Sequence, residues 1–94
     1  MEVKHKDDGK KGAFFVEMDG HQEALMTYTH AGPHKIIIDH TEVSDKLKGQ
    51  GVGYKLVAAS VDYFRKNNLK VIPLCPFAAA VFKKKHEEYA DVLS

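Results

Sequence analysis

Lys48-Gly49-Gln50-Gly51-Val52-Gly53 is the stretch on which the fold turns. Before it, Lys35 to Val43 is rich in β-branched residues, with Ile36-Ile37-Ile38 at its centre; after it, Val52, Leu56, Val57, Val61 and Phe64 recur at helical spacing. A glycine-spaced turn between a strand and a helix suits a phosphate. Glycine lets the backbone approach an anion, and the first helical turn offers unpaired N–H groups at the positive end of the helix dipole. Two nucleotide loops fail to match. A P-loop needs Lys-Ser or Lys-Thr after its last glycine, and Gly53 is followed by Tyr54-Lys55-Leu56. A dinucleotide fingerprint needs a further glycine where Leu56 stands, and an acidic residue at the end of the next strand, which is missing.

Working outward, Asp7-Asp8-Gly9 separates a short first run from Ala13-Phe14-Phe15-Val16-Glu17-Met18. Asp19-Gly20 is a two-residue hairpin signal, because a type I′ turn needs positive φ at both central positions. Glu23 to Thr29 forms a third run that ends before the breaker Gly32-Pro33. With Lys35 to Val43 these segments predict an antiparallel meander of four strands. Downstream, Asn67-Asn68 supplies a left-handed helix stop, and Val71 to Cys75 reads as a short strand parallel to the one before the helix. Pro76 suits the first position of a final helix from Phe77 to about Lys85, with a weaker segment over Glu87 to Leu93.

The bulk numbers set limits. The chain has 94 residues, 44% of them hydrophobic and 29% charged, which predicts one domain over residues 1–94 with a core that needs no staples. A formal charge of +1 steers it toward neither nucleic acid nor an anionic membrane, so any anion must be held locally. No stretch approaches the roughly 20 apolar residues of a membrane span, and the N-terminus has no apolar signal region. A cytoplasmic location is the expectation, and a lone cysteine, Cys75, fits a reducing compartment. His30 and His34 straddle Gly32-Pro33 with no further ligand beside them, so no metal is predicted.

The remaining loop pattern, a basic or amide residue, two variable residues and Gly-x-Gly at a helix start, resembles that of the GNAT superfamily of acyl-CoA-dependent N-acetyltransferases. Three motifs in order carry the likeness: His40-Thr41-Glu42-Val43, Gly49-Gln50-Gly51-Val52-Gly53 and Pro73-Leu74-Cys75-Pro76-Phe77. Together they resemble a minimal GNAT-like family of about this length. The resemblance implies a mixed α/β sheet, antiparallel at first, then a β-α-β crossover whose parallel strands splay to admit a pantetheine arm. It also implies acetyl-CoA as co-substrate and an amine as acceptor. Lys48, Gly49, Gln50, Gly51, Val52, Gly53 and Tyr54 would hold the pyrophosphate, and Val43 would align the thioester. Lys48 departs from the usual Arg or Gln; a lysine keeps the charge but loses the fork, which shifts the burden to backbone N–H groups.

Three residues are candidates for chemistry. Cys75, at the end of the second parallel strand, is either an acyl-accepting nucleophile or a small group that orients the acyl carbon. His40 is the first candidate base and Glu42 the second, since an acceptor amine must lose a proton. Regular alternation along Lys35 to Val43 would put Ile36, Ile38, His40 and Glu42 on one face, with Ile37, Asp39, Thr41 and Val43 on the other. Lys83-Lys84-Lys85 is a further candidate contact for the coenzyme's 3′-phosphate, and Phe77 and Phe82 are candidate flanks for the adenine or acyl arm. An acetyltransferase with a shallow acceptor site is the leading reading. A non-catalytic acetyl-CoA binding or sensing module and a protein-interaction domain are the alternatives, with the acceptor and the oligomeric state open.

Overall fold

A computed structural model describes residues 2–94. Four strands run in chain order as an antiparallel meander: β1 (Lys4–Asp7), β2 (Lys11–Met18), β3 (His21–His30) and β4 (Lys35–Val43). The 15-residue helix α1 (Val52–Lys66) then returns the chain to β5 (Lys70–Pro73), which lies parallel to β4 and closes the order β1-β2-β3-β4-β5. The helices α2 (Pro76–Lys84) and α3 (His86–Tyr89) follow, and Leu93 adds a single parallel bridge to Val71.

Local chemistry explains these boundaries. Asp19 and Gly20 both have positive φ, 51° and 79°, as the hairpin between β2 and β3 requires. Asn68, at φ 59°, turns the chain out of α1. Pro76 opens α2, where its missing N–H costs nothing. Along α1, Val52, Leu56, Val57, Val61 and Phe64 are all buried, and they meet Phe14, Met26, Tyr28, Ile36, Ile38 and Val71 from the sheet in one cluster. Ala78, Val81 and Phe82 from α2 and Val92 join that cluster. Burying a side chain of this size is worth about 1.5–3 kcal/mol.

Regular alternation is broken twice, between β2 and β3 at Val16/Glu17 and, with more consequence for the site, between β3 and β4. At the second break Tyr28 faces Ile38 while Thr27 faces His40. Asp39 is therefore an extra residue, a β-bulge, and the face of every later residue in β4 is reversed. Ile36 and Ile38 point into the core, as do Thr41 and Val43, which pair with the buried Met26 and Ala24. The expected sharing of a face by Ile36, Ile38, His40 and Glu42 is corrected: His40 and Glu42 lie on the outer face with Ile37.

Candidate active site

The same bulge marks where the parallel strands part. Pairing between β4 and β5 stops at Ile38 and Pro73, and the amides of Leu74 and Cys75 both turn in to the carbonyl of Ile38, at 3.2 and 3.1 Å. From Asp39 to Val43, β4 has β3 on one side and no strand on the other. The result is a wedge with backbone groups along one wall.

At the wide end of the wedge lies the glycine turn. Ser44 caps a short 3₁₀ turn over Asp45–Leu47 by accepting the amide of Lys46, and buried Leu47 pins that turn to the core. Gly49 and Gly51 then adopt positive φ, 80° and 68°, so the chain enters α1 with Gly51 as its N-cap and no side-chain cap. The first amide of this region to find an intrahelical carbonyl is that of Lys55, bonded to Gly51 at 3.1 Å. Among the described residues the amides of Gly51, Val52, Gly53 and Tyr54 have no acceptor. Four unpaired donors at a helix start have the chemistry of an anion cradle.

Gly53 has a steric role of its own. A methyl group there would lie 2.4 Å from the Phe77 ring, so glycine is what allows α2 to pack against the start of α1. Phe77 is half exposed and meets the Tyr54 ring edge-on at 6.1 Å. Lys84 completes this rim, its Nζ lying 5.6 Å over the Tyr54 ring and 3.5 Å from the phenol oxygen. Thus one lysine of the 83–85 run faces the loop. Phe82, by contrast, is a core residue against Tyr89. Lys48 turns back to Asp45 in an exposed ion pair at 2.9 Å, and Gln50 donates to the carbonyl of Lys46 at 3.3 Å.

The candidates for chemistry fall on two sides of β4. Cys75 is buried at 4% exposure, caps α2, and donates its thiol to Thr41 Oγ1 at 3.3 Å. His40 and Glu42 stand together on the outer face, Nε2 to Oε1 3.6 Å, both well exposed. The bulge separates the two sets: Thr41 and Cys75 are reached from the helix side, His40 and Glu42 from the open side. Thr41, the partner of Cys75, carried no signal in the sequence beyond its place in the first motif.

A second polar constellation escaped sequence reading altogether. The Tyr28 hydroxyl, on a fully buried ring, donates to Asp7 Oδ2 at 2.6 Å and lies 2.6 Å from His5 Nε2; His30 Nε2 reaches the same Asp7 oxygen at 2.7 Å. Burial works against the Asp7 charge, but the hydrogen bonds from Tyr28, the Gly9 amide and His30 outweigh it and hold the carboxyl at about 2. Burial and the neighbouring Asp7 carboxylate push the Tyr28 phenol far upward, so it stays protonated. Partial burial lowers His5, against the pull of Asp7. Residues from two strands, β1 and β3, make this network across β2, at spacings that no linear motif records.

Two further facts bear on what the site can hold. Among the described residues no group of three or more His, Cys, Asp or Glu side chains is placed to bind a metal ion, and no helix is long and apolar enough to cross a membrane. Comparison with known proteins bears on the rest. The profile of a family described as GCN5-related N-acetyl-transferase matches residues 13–92. Protein NATD1 of Xenopus tropicalis is 30% identical over 74 residues, 78% of this chain and 68% of that protein. A GCN5-like protein of Staphylococcus aureus, known from an NMR solution structure, superposes with a TM-score of 0.72 at 40% identity, covering 97% of this chain and 87% of the other. The fold is also that of AAC(6')-Iy, solved in complex with a bisubstrate analogue, CoA-S-monomethyl-acetylneamine; the TM-score is 0.57 at 13% identity over 92% of this chain and 63% of the other.

Proposed function

The chain belongs to the GCN5-related N-acetyltransferase family, and on that premise we propose that it transfers the acetyl group of acetyl-CoA to an amine. The observation that carries this reading is the wedge: a strand edge without a partner, leading from a row of free helix-start amides to the point where β4 and β5 part. The amides of Gly51 to Tyr54 bind the pyrophosphate, with Lys84 and Tyr54 at the rim. Lys48, Gly49 and Gln50 shape the loop through its backbone. The pantetheine arm extends along β4 from Val43 as a partial added strand, a mode in which main-chain hydrogen bonds supply affinity.

Direct attack is the route that this geometry favours. The acceptor ammonium approaches from the outer face and gives one proton to His40, with Glu42 beside it to stabilise the imidazolium. The nitrogen lone pair then forms the N–C bond at the thioester carbonyl carbon. The C–S bond breaks, and the second nitrogen proton passes through water to the departing thiolate. Cys75 stays a thiol; buried and donating to Thr41, it lines the acyl end from the helix side. The gain in rate comes mainly from holding amine and thioester within reach of each other.

Intact-protein mass spectrometry and calorimetry with acetyl-CoA, followed by a panel of amines, test this reading. Saturable binding with N-acetylated amine as product is expected. Binding without product on any amine would leave a coenzyme A binding module, and absence of binding would defeat both.

A further inference from the structure

On the outer face of the sheet lies a cavity of about 590 Å³ that runs from β1 to the bulge of β4. Its floor is made of small residues, Gly12 and Ala13 of β2, with the hydroxyls of Thr27 and Thr29 from β3. Asp39, the bulged residue, forms one wall. Thr29 Oγ1 donates to its Oδ2 at 2.7 Å, and its other oxygen has no partner among the described residues. Two more carboxylates border the cavity; both oxygens of Asp7 and one of Asp8 are engaged. Asp7 accepts from Tyr28, from His30 and from the Gly9 amide, while Asp8 accepts from the amides of Lys10 and Lys11. Lys6 and Lys11, on the far side, make no ion pair among the described residues, and Lys6 Nζ lies 5.3 Å over the Phe15 ring.

The two ends thus differ in the groups they offer a ligand: the unpaired oxygen of Asp39 at the wedge, and away from it the ammonium groups of Lys6 and Lys11, whose charge Asp7 and Asp8 nearby balance. Asp39 follows directly on Ile38, whose carbonyl closes the wedge, and His40 follows Asp39 in the row Lys6, Ala13, Thr27, His40 across the sheet. From β2, which carries Lys11, to β4 is two strand spacings, about 10 Å.

We propose that this cavity is the acceptor subsite and that it takes a small primary amine bearing a carboxylate at its other end. Asp39 and Thr29 hold the ammonium group beside His40; Lys6 and Lys11 hold the carboxylate. The inference rests on the transferase reading for its chemistry, but not for its binding. A diamine brings no anion for the ammonium groups of Lys6 and Lys11, so it is held less tightly than an amine that ends in a carboxylate.

Titration of ¹⁵N-labelled protein, without acetyl-CoA, tests the subsite with 6-aminohexanoate as probe and 1,6-diaminohexane and hexanoate as comparators. Saturable amide shifts confined to the neighbourhood of Ala13, Thr29 and Asp39 are expected. Asp39→Asn, which keeps the Thr29 hydrogen bond, should weaken 6-aminohexanoate at least tenfold, as should the double change Lys6→Ala with Lys11→Ala. Equal binding of the diamine, shifts elsewhere, or indifference to Asp39→Asn would overturn it. With acetyl-CoA present the two readings separate. Transfer to 6-aminohexanoate with KM unchanged in Asp39→Asn sinks the subsite and keeps the enzyme. Shifts in the cavity with no transfer to any amine keep the subsite as a binding site and sink the enzyme.

Discussion

Replacing Gly12 by alanine should unfold this protein at a much lower temperature, and the structure says by how much. The new methyl would lie 2.2 Å from Tyr28 Cζ and 2.3 Å from its hydroxyl, against an ordinary contact of about 3.5–4.0 Å. The ring must therefore retreat by more than about 1 Å, yet it is fully buried, set edge-on against Phe64 at 5.3 Å, and tied through its hydroxyl to Asp7. Breaking that charge-assisted hydrogen bond costs about 1.5–3 kcal/mol. Strain from the displaced ring adds about 1–3 kcal/mol, and alanine's lower unfolded-state entropy returns about 0.5–1 kcal/mol. The sum is a loss of about 2–5 kcal/mol. For a domain of this size each kcal/mol moves Tm by about 4–8 °C, so a fall of at least about 8 °C is expected. Thermal unfolding followed by circular dichroism reads it, with Gly9→Ala as control: that methyl meets open space at φ 93°, so only backbone strain of about 1–2 kcal/mol applies. If Gly12→Ala melts within 2 °C of the parent protein, the Tyr28 ring is free to leave and the locked network is wrong.

Acid should destabilise the protein in two steps. Asp7, held at about 2 against 3.8 when unfolded, stabilises the fold above pH 3.8, and its contribution is lost as pH falls toward 2. His5, lowered from 6.5, contributes above pH 6.5 and loses that contribution as pH drops through its folded value. Asp7→Asn should flatten the lower step of a Tm-against-pH curve and, by removing the charge that holds His5 up, extend the upper step to lower pH. Gly53→Ala should displace the half-exposed Phe77 ring, change stability by about 1 kcal/mol or less because helix propensity offsets the clash, and weaken acetyl-CoA about tenfold by calorimetry; adding Phe77→Ala should recover most of the loss, and unchanged affinity in the single variant would refute the role of the cradle. Cys75→Ala should cost about 1–2 kcal/mol of stability and keep transfer within tenfold; a stable acetyl increment on Cys75 in the parent protein would establish the covalent route instead.

Much of the fold was legible because its determinants are local. Asp19-Gly20, the helical spacing from Val52 to Phe64, Asn67-Asn68 and Pro76 each constrain the backbone within a few residues, and each element appears where they place it. The glycine turn was legible for the same reason. The bulge was not, because an inserted residue leaves composition and hydrophobicity unchanged and only alters which partner each residue meets. Asp39 reads as one more polar position late in a strand, and the side on which His40 stands follows from it. The Asp7, Tyr28, His5 and His30 network stayed hidden because three strands had to be paired before its members became neighbours. Nor does Gly53 in sequence announce the aromatic ring from α2 that needs its space.

The wedge also has a bearing on how the protein behaves when nothing fills it. A strand edge with unpaired N–H and C=O groups is a template for any extended chain, and β4 offers one from Asp39 to Val43. Only five residues long, bent at its start by the bulge and bounded at its narrow end by Leu74, whose amide bonds the Ile38 carbonyl, it is awkward for a second sheet to reach but open to a flexible peptide. Acetyl-CoA bound as proposed would compete with such a peptide for the same groups, and so would guard concentrated protein against edge-to-edge association.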